Sequence, residues 1–286
     1  MIEPAPRAII SASRRTDLPC CYPEYIEEAL SARSACVTGY YGNSYVVDLH
    51  PDAVHTVVFW SKNYENFLGP RRRLRTLLDQ YRHLHFLFSV TGLGGTRLEE
   101  NSPGWRAALK QIPALAELSG SPERVTLRFD PILFWKEGAV ERSNVGFFAE
   151  IADDAARCGV RRVLTSFTQW YGKSVRRASK HGVEYIDPPM EQKVAVAREL
   201  SEGAARLGLE LFICSQRAIA GAAGVRAAAC IDAQLLSRLH PDGLLADTRK
   251  DPGQRADCGC SRSRDIGSYT QACANRCVYC YANPAM

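Results

Sequence analysis

A repeated alternation of short apolar runs with helical segments constrains this chain most. Runs at 8–14, 54–60, 85–91, 124–130, 162–167 and 209–214 are rich in Val, Ile, Leu and Phe, the composition of strands buried in a sheet. Helical patterns fall between them, over about 23–33, 104–118, 144–157 and 189–207. Another has its apolar positions at Phe67, Leu74, Leu77 and Leu78, and a last short one runs from Ile231 to Leu239. Parallel strands need long, usually helical crossovers, whereas antiparallel strands need only turns. The alternation therefore predicts an α/β fold built on a parallel sheet.

Five or six such units suit a complete or partial (β/α) TIM-like barrel, with a doubly wound open sheet as the alternative. The barrel is favoured by polar residues that recur just past the strands: Arg14 and Asp17, Lys62, Thr91, Arg128 and Asp130, Ser166, and Cys214. In a barrel those strand ends converge on one face, where active sites lie. A β-rich piece from Cys36 to Leu49, with a turn at Tyr40–Asn43, interrupts the alternation. The barrel is expected over residues 1–250. Asp251-Pro-Gly-Gln then opens a cysteine-rich tail, residues 251–286, too short to fold alone and expected to pack on the barrel as part of one structural domain.

The 286 residues are 46% hydrophobic and 23% charged, ordinary values for a soluble globular protein. No apolar run approaches the ~20 residues that span a bilayer, and the N-terminal stretch, with Glu3 and two prolines, has no apolar signal core. The expectation is a cytoplasmic protein with no membrane contact. In a reducing compartment, clustered thiols among 11 cysteines point to metal binding or catalysis rather than disulfides. A net charge of +5 permits an anionic small-molecule substrate, does not exclude nucleic acid, and requires neither.

The densest thiol group is Cys273-Ala-Asn-Arg-Cys277-Val-Tyr-Cys280. A 4Fe–4S cluster is a cube of edge ~3 Å bound by cysteine thiolates, and this spacing lets one short loop reach three of its irons. The fourth iron would lack a local cysteine. The alternatives are a structural zinc site completed by Cys258 or Cys260, and a cluster with a purely structural or electron-transfer role. Cys258-Gly-Cys260, with Cys214 and Cys230, makes a full ligand set for a second, auxiliary 4Fe–4S cluster. Cys214 and Cys230 can equally be small apolar core residues. Cys20-Cys21, Cys36 and Cys158 show no partner set and read as packing or surface thiols.

C-x3-C-x2-C with an aromatic before the last cysteine resembles the signature of the radical SAM superfamily, matched here by Cys273, Cys277, Tyr279 and Cys280. The resemblance implies a 4Fe–4S cluster on the three thiolates, S-adenosylmethionine on its fourth iron, and reductive cleavage to a 5′-deoxyadenosyl radical that attacks a substrate. It places Tyr279 near the adenine and implies an electron donor such as flavodoxin or ferredoxin. In that superfamily the motif usually follows the first barrel strand. Here it must fold back over the barrel mouth from the C-terminal side, as in a permuted relative. The whole chain also resembles a family of uncharacterised bacterial proteins of unknown function, through Ser11–Asp17, Val58–Asn63, Arg128–Pro131 and Cys258–Cys260 through Tyr281–Asn283.

Thr91 and the following Gly92-Leu-Gly94-Gly95 can bring backbone N–H groups to the amino-acid or ribose part of such a cofactor, or can form a plain turn. Arg14, Arg15, Asp17, Lys62, Arg128 and Asp130 are the candidates for binding an anionic substrate or the cofactor carboxylate. Arg128 and Asp130 share one face of an extended strand, so mutual pairing is the competing reading. Aromatic and basic residues interleave over 167–177, as a nucleotide contact or a solvated helix start. His55, His83 and His85 show no ligand pattern and receive no role.

Overall fold

The structure is a computed structural model that describes residues 6–39 and 41–282. The turn expected at Tyr40–Asn43 and the end of the Tyr281–Asn283 match therefore lie partly outside the described residues. Strands are numbered in chain order. β1 (Ala8–Ala12), β4 (Val54–Ser61), β5 (Leu84–Ser89), β6 (Val125–Ile132), β9 (Arg162–Phe167), β11 (Glu210–Cys214), β12 (Arg226–Ala228) and β13 (Arg264–Asp265) form one eight-stranded sheet. Its order is β12-β11-β9-β6-β5-β4-β1-β13, and every pairing is parallel. This is the mixed α/β fold with a large parallel sheet that the alternation predicts.

Six of the strands lie where their apolar runs stand, and they bury different residues on the two faces. Ile10, Val57, Phe59, Phe86, Phe88, Leu127 and Val163 face the helices in one large apolar cluster. Ile9, Val58, Leu87, Leu164 and Phe212, the alternate residues, form a second cluster on the other face. Both sets are needed because a strand's side chains alternate and neither face meets water. Helix Phe148–Arg157 shows the matching periodicity, burying Phe148, Ile151, Ala152 and Ala155 at the spacing of a single helical face.

Several expected boundaries shift for local reasons. The helix expected over 104–118 is two, Trp105–Leu109 and Ile112–Ser119. Pro113 has no N–H to continue a helix and is tolerated in a first turn, so the second helix restarts around it. The β-rich piece at 36–49 is an antiparallel hairpin of β2 (Ser34–Thr38) and β3 (Ser44–Asp48). β7 (Phe134–Glu137), β8 (Val140–Ser143) and β10 (Glu184–Ile186) form an unexpected antiparallel sheet.

The cysteine-rich tail is woven into this frame. β13 pairs with β1, Ile10 opposite Arg264 and Ser11 opposite Asp265. Asp265 then accepts hydrogen bonds from Ser11 Oγ (2.9 Å), Ser13 Oγ (2.7 Å) and the Arg14 N–H (2.8 Å). Beyond the other end of the sheet's order, Ser261 N–H donates to the Ile231 carbonyl, 2.9 Å. Cys258 and Cys260 sit in the second apolar cluster. Among the described residues, no helix is long and apolar enough to cross a membrane.

Candidate functional site

The C-terminal ends of β1, β4, β6, β9 and β11 surround a cavity of about 250 Å³. Cys273, Cys277, Cys280 and Tyr279 line it together with Arg14, Asp17, Lys62, Arg128 and Asp130. Cys214, Cys230 and Cys260 line it as well, while Cys258 is buried just behind them. Residues far apart in the chain thus meet because parallel strands point all their C-terminal ends one way.

The loop carrying the three cysteines is clamped from every side. Its Cys277-Val278-Tyr279 segment packs with Leu93, Leu98, Leu133 and Trp135, joining it to the small antiparallel sheet. Arg177, on helix Gly172–Lys180, donates to the carbonyls of Val278 (2.7 Å) and Cys280 (3.0 Å). Tyr22 OH donates to the Ala272 carbonyl and Asn101 to that of Ala274, both at 2.7 Å. Val278 N–H reaches the Leu98 carbonyl at 2.9 Å. The basic stretch at 173–177 therefore serves the cysteine loop through Arg177.

Asp17 is a clamp rather than a free reacting group. It accepts from Cys20 N–H (3.1 Å), capping helix Leu18–Cys21, from Lys62 N–H (2.9 Å) and from Asn275 Nδ2 (2.7 Å). Burial pushes its carboxyl up, and these donors oppose that rise. One carboxylate thereby ties the ends of β1 and β4 to the cysteine loop.

Lys62 points into the site, and its ammonium pairs with Glu99 at 2.8 Å. Glu99 is 2% exposed and also accepts from Thr91 Oγ1 and Tyr279 OH. Burial alone would lower the Lys62 pKa, but Glu99 and Cys277 outweigh it, so the ammonium is held. Burial raises the Tyr279 hydroxyl well above its usual range, keeping it a donor to Glu99.

Thr91, Gly92, Gly94 and Gly95 are not in the wall of the large cavity. Thr91, Gly92 and Gly94 border a small separate pocket beside Lys62 and Glu99. A Cβ on Gly94 would stand 1.9 Å from the Pro103 carbonyl oxygen, and one on Gly92 would meet Phe147 at 2.4 Å. Gly92 and Gly94 are required by close packing of the loop that carries Glu99, whereas Gly95 has open space and takes a φ of +77°.

Arg128 and Asp130 do pair with each other, and Asp130 also accepts from Ser166. Arg128 further donates to Ser89 Oγ at 2.9 Å. Arg14 pairs with Asp251 at 2.9 Å, and Arg15 donates to the Gly267 carbonyl and Tyr45 OH. Trp60 lies between two cations, its ring 5.8 Å from the Arg14 and 5.2 Å from the Arg128 guanidinium carbon.

All eleven cysteines are free thiols. Burial drives the Cys277 thiol well above its usual range, with Lys62 opposing, so ligation of a cation is what would favour its thiolate. The neighbouring Cys20 pushes the Cys21 thiol up to about 12, with Cys273 opposing. The pair read as packing thiols thus borders the first cysteine of the motif. Among the described residues, no three His, Cys, Asp or Glu side chains are grouped to enclose one metal ion. A tetrahedral zinc needs that convergence at ~2.3 Å per sulfur. A cubane spreads its thiolates over separate irons, and three free thiols along one cavity wall are a donor set of that kind.

Glu99, Cys21, Trp60, Asn275 and Asp265 received no site role from the sequence, and Arg177 only as part of the basic stretch at 173–177. Only the vicinal Cys20-Cys21, just after the Arg14–Asp17 run, offered a signal. No curated protein matches the chain. The family model for Domain of unknown function (DUF1848) matches residues 9–282, so the chain belongs to that family.

Proposed function

We propose that the protein is a radical SAM-like enzyme whose Cys273, Cys277 and Cys280 hold a 4Fe–4S cluster at the mouth of a (β/α) barrel. The carrying observation is that these three free thiols line the strand-end cavity together with Lys62 and Tyr279, both tied to the buried Glu99. The barrel reading is supported by the strand order, which runs in sequence from β1 to β12 without the reversal of a doubly wound sheet. Right-handed crossovers in one direction put the helices on one face. β13 beside β1, and Ser261 bonded to Ile231 after β12, bring the same segment to both edges.

Such a cluster, once reduced by a donor such as flavodoxin or ferredoxin, supplies the electron that cleaves S-adenosylmethionine into a radical. This chain's residues bind and shelter. Arg177 and Asp17 fix the ligand loop, Tyr279 is held by Glu99 on the cavity side, and Lys62 provides a positive charge beside Cys277. The barrel mouth limits water, which a carbon radical requires.

Cys21, beside Cys273, supports a second reading. It offers a fourth thiol that would close the cluster and leave a redox or structural centre without radical chemistry. Anaerobically purified protein decides. The radical reading expects dithionite plus S-adenosylmethionine to yield 5′-deoxyadenosine, and Cys273→Ala, Cys277→Ala and Cys280→Ala each to abolish it. Iron-loaded protein that leaves S-adenosylmethionine intact, with a spectrum the cofactor does not perturb, overturns it in favour of the closed centre. A colourless zinc protein overturns both.

A further inference from the structure

The cavity has a second sulfur-lined wall that the proposed reaction does not use. Cys214 Sγ lies 3.7 Å from Cys230 Sγ. Cys260 lies beside both Cys230 and Cys258. Four thiols from three distant segments thus form one continuous string. Its setting is built by the fold: β11 ends in Cys214, Cys230 follows β12, and the Ser261–Ile231 bond holds Cys260 against them. Ile231 N–H also donates to Cys260 Sγ at 3.4 Å.

The facing wall is cationic and rich in unmet donors. Arg14 is within electrostatic range of Cys260, and Arg128 of Cys230 and Cys214. Each arginine keeps one aspartate partner, yet Arg14 Nε and Nη2, Arg128 Nε and the Trp60 Nε1 between them are buried without a hydrogen-bond acceptor. Buried N–H groups are almost always satisfied. Here they border the same cavity as the thiol string. An anionic, acceptor-rich body against both walls would meet the donors and the thiols together.

We propose that Cys214, Cys230, Cys258 and Cys260 ligate a second, closed 4Fe–4S cluster, and that Arg14, Arg128 and Trp60 are its N–H donors and positioning residues rather than substrate ligands. Tetrathiolate zinc would match the 3.7 Å Cys214–Cys230 spacing, but it brings no sulfides to accept from the unmet Arg14, Arg128 and Trp60 N–H groups. Cluster sulfides accept N–H hydrogen bonds, and such bonds and nearby cations raise a cluster's reduction potential. This goes beyond the first site: it needs iron at the closing loop neither to bind S-adenosylmethionine nor to make a radical.

The test is iron and acid-labile sulfide counted on anaerobically purified full-length protein. Wild type is expected to hold about eight irons per chain, and a Cys273→Ala/Cys277→Ala/Cys280→Ala variant about four. A Cys214→Ser/Cys230→Ser variant should lose the complementary four. In the triple variant, Arg128→Gln should lower the midpoint potential of the remaining cluster with the iron count unchanged. Wild type with about four irons, all lost in the triple variant, overturns the second cluster. An unmoved potential overturns the role given to Arg128. If the triple variant does not fold, the wild-type iron count still decides, with four or fewer as the contrary result.

Discussion

Glu99 sets the charge balance of the pocket. It is buried against Lys62 and takes hydroxyl bonds from Thr91 and Tyr279. Removing one partner of a buried ion pair leaves a desolvated charge and costs about 3–5 kcal/mol. Glu99→Gln is therefore expected to lower unfolding free energy by that amount in denaturant titration, and Lys62→Met on top of it to recover much of the loss. Gly94 makes a steric counterpart. Gly94→Ala drives a Cβ into the Pro103 carbonyl and should cost about 1–3 kcal/mol. Gly95→Ala has open space around its Cβ and pays only for a φ of +77°, about 1 kcal/mol. Equal losses for the two in thermal melts would contradict the close-packing account. At this scale the sequence was legible where partners are near neighbours: Arg128 and Asp130, two apart on a strand, pair as their shared face allows. Glu99 with Lys62, or Cys21 with Cys273, meet only through tertiary folding, and no local pattern announces them.

The strand beginnings carry a different chemistry from the strand ends. His55, Thr56 and His83 form a hydrogen-bonded chain at the start of β4 and β5, and His85 bonds Thr126 at the start of β6. Burial, and for His85 the charges of Arg162 and Arg124, lower His83 to about 2 and His85 to about 3. Their folded values lie below the ordinary 6.5, so unfolding takes up protons. Full stability is present above pH 6.5 and is lost as pH falls toward 3. At about pH 5 each histidine should cost roughly 2 kcal/mol. The melting temperature should drop on acidification from pH 7.5 to 5, and His85→Gln should flatten the drop; parallel curves would contradict this. The histidines showed no spacing pattern because they are brought together across neighbouring strands. Long apolar strands were readable element by element, whereas β13, two residues long, and the four-residue β7 and β8 were too short to carry a periodicity.

Across the whole molecule, the alternation of strands and helices was enough to anticipate a parallel α/β frame with polar residues gathered at one end. The displaced cysteine motif raised the question of how a tail could reach that end. The answer is β13, which lays the tail against β1, with Cys260 before it in the chain and Cys273, Cys277 and Cys280 after it lining the cavity. The small antiparallel sheet and Arg177 supply the seat. Ser11, one of the first strand's residues, is bonded to Asp265, 254 positions later. Chains are made from the N-terminus and fold as they emerge. The outer edge of β1 thus keeps an unmatched ladder until Arg264 and Asp265 have been made. A chain cut short before residue 258 would carry that open edge together with Arg14 and Arg128, would lack Cys258, Cys260, Cys273, Cys277 and Cys280, and is expected to be degraded faster than the full chain.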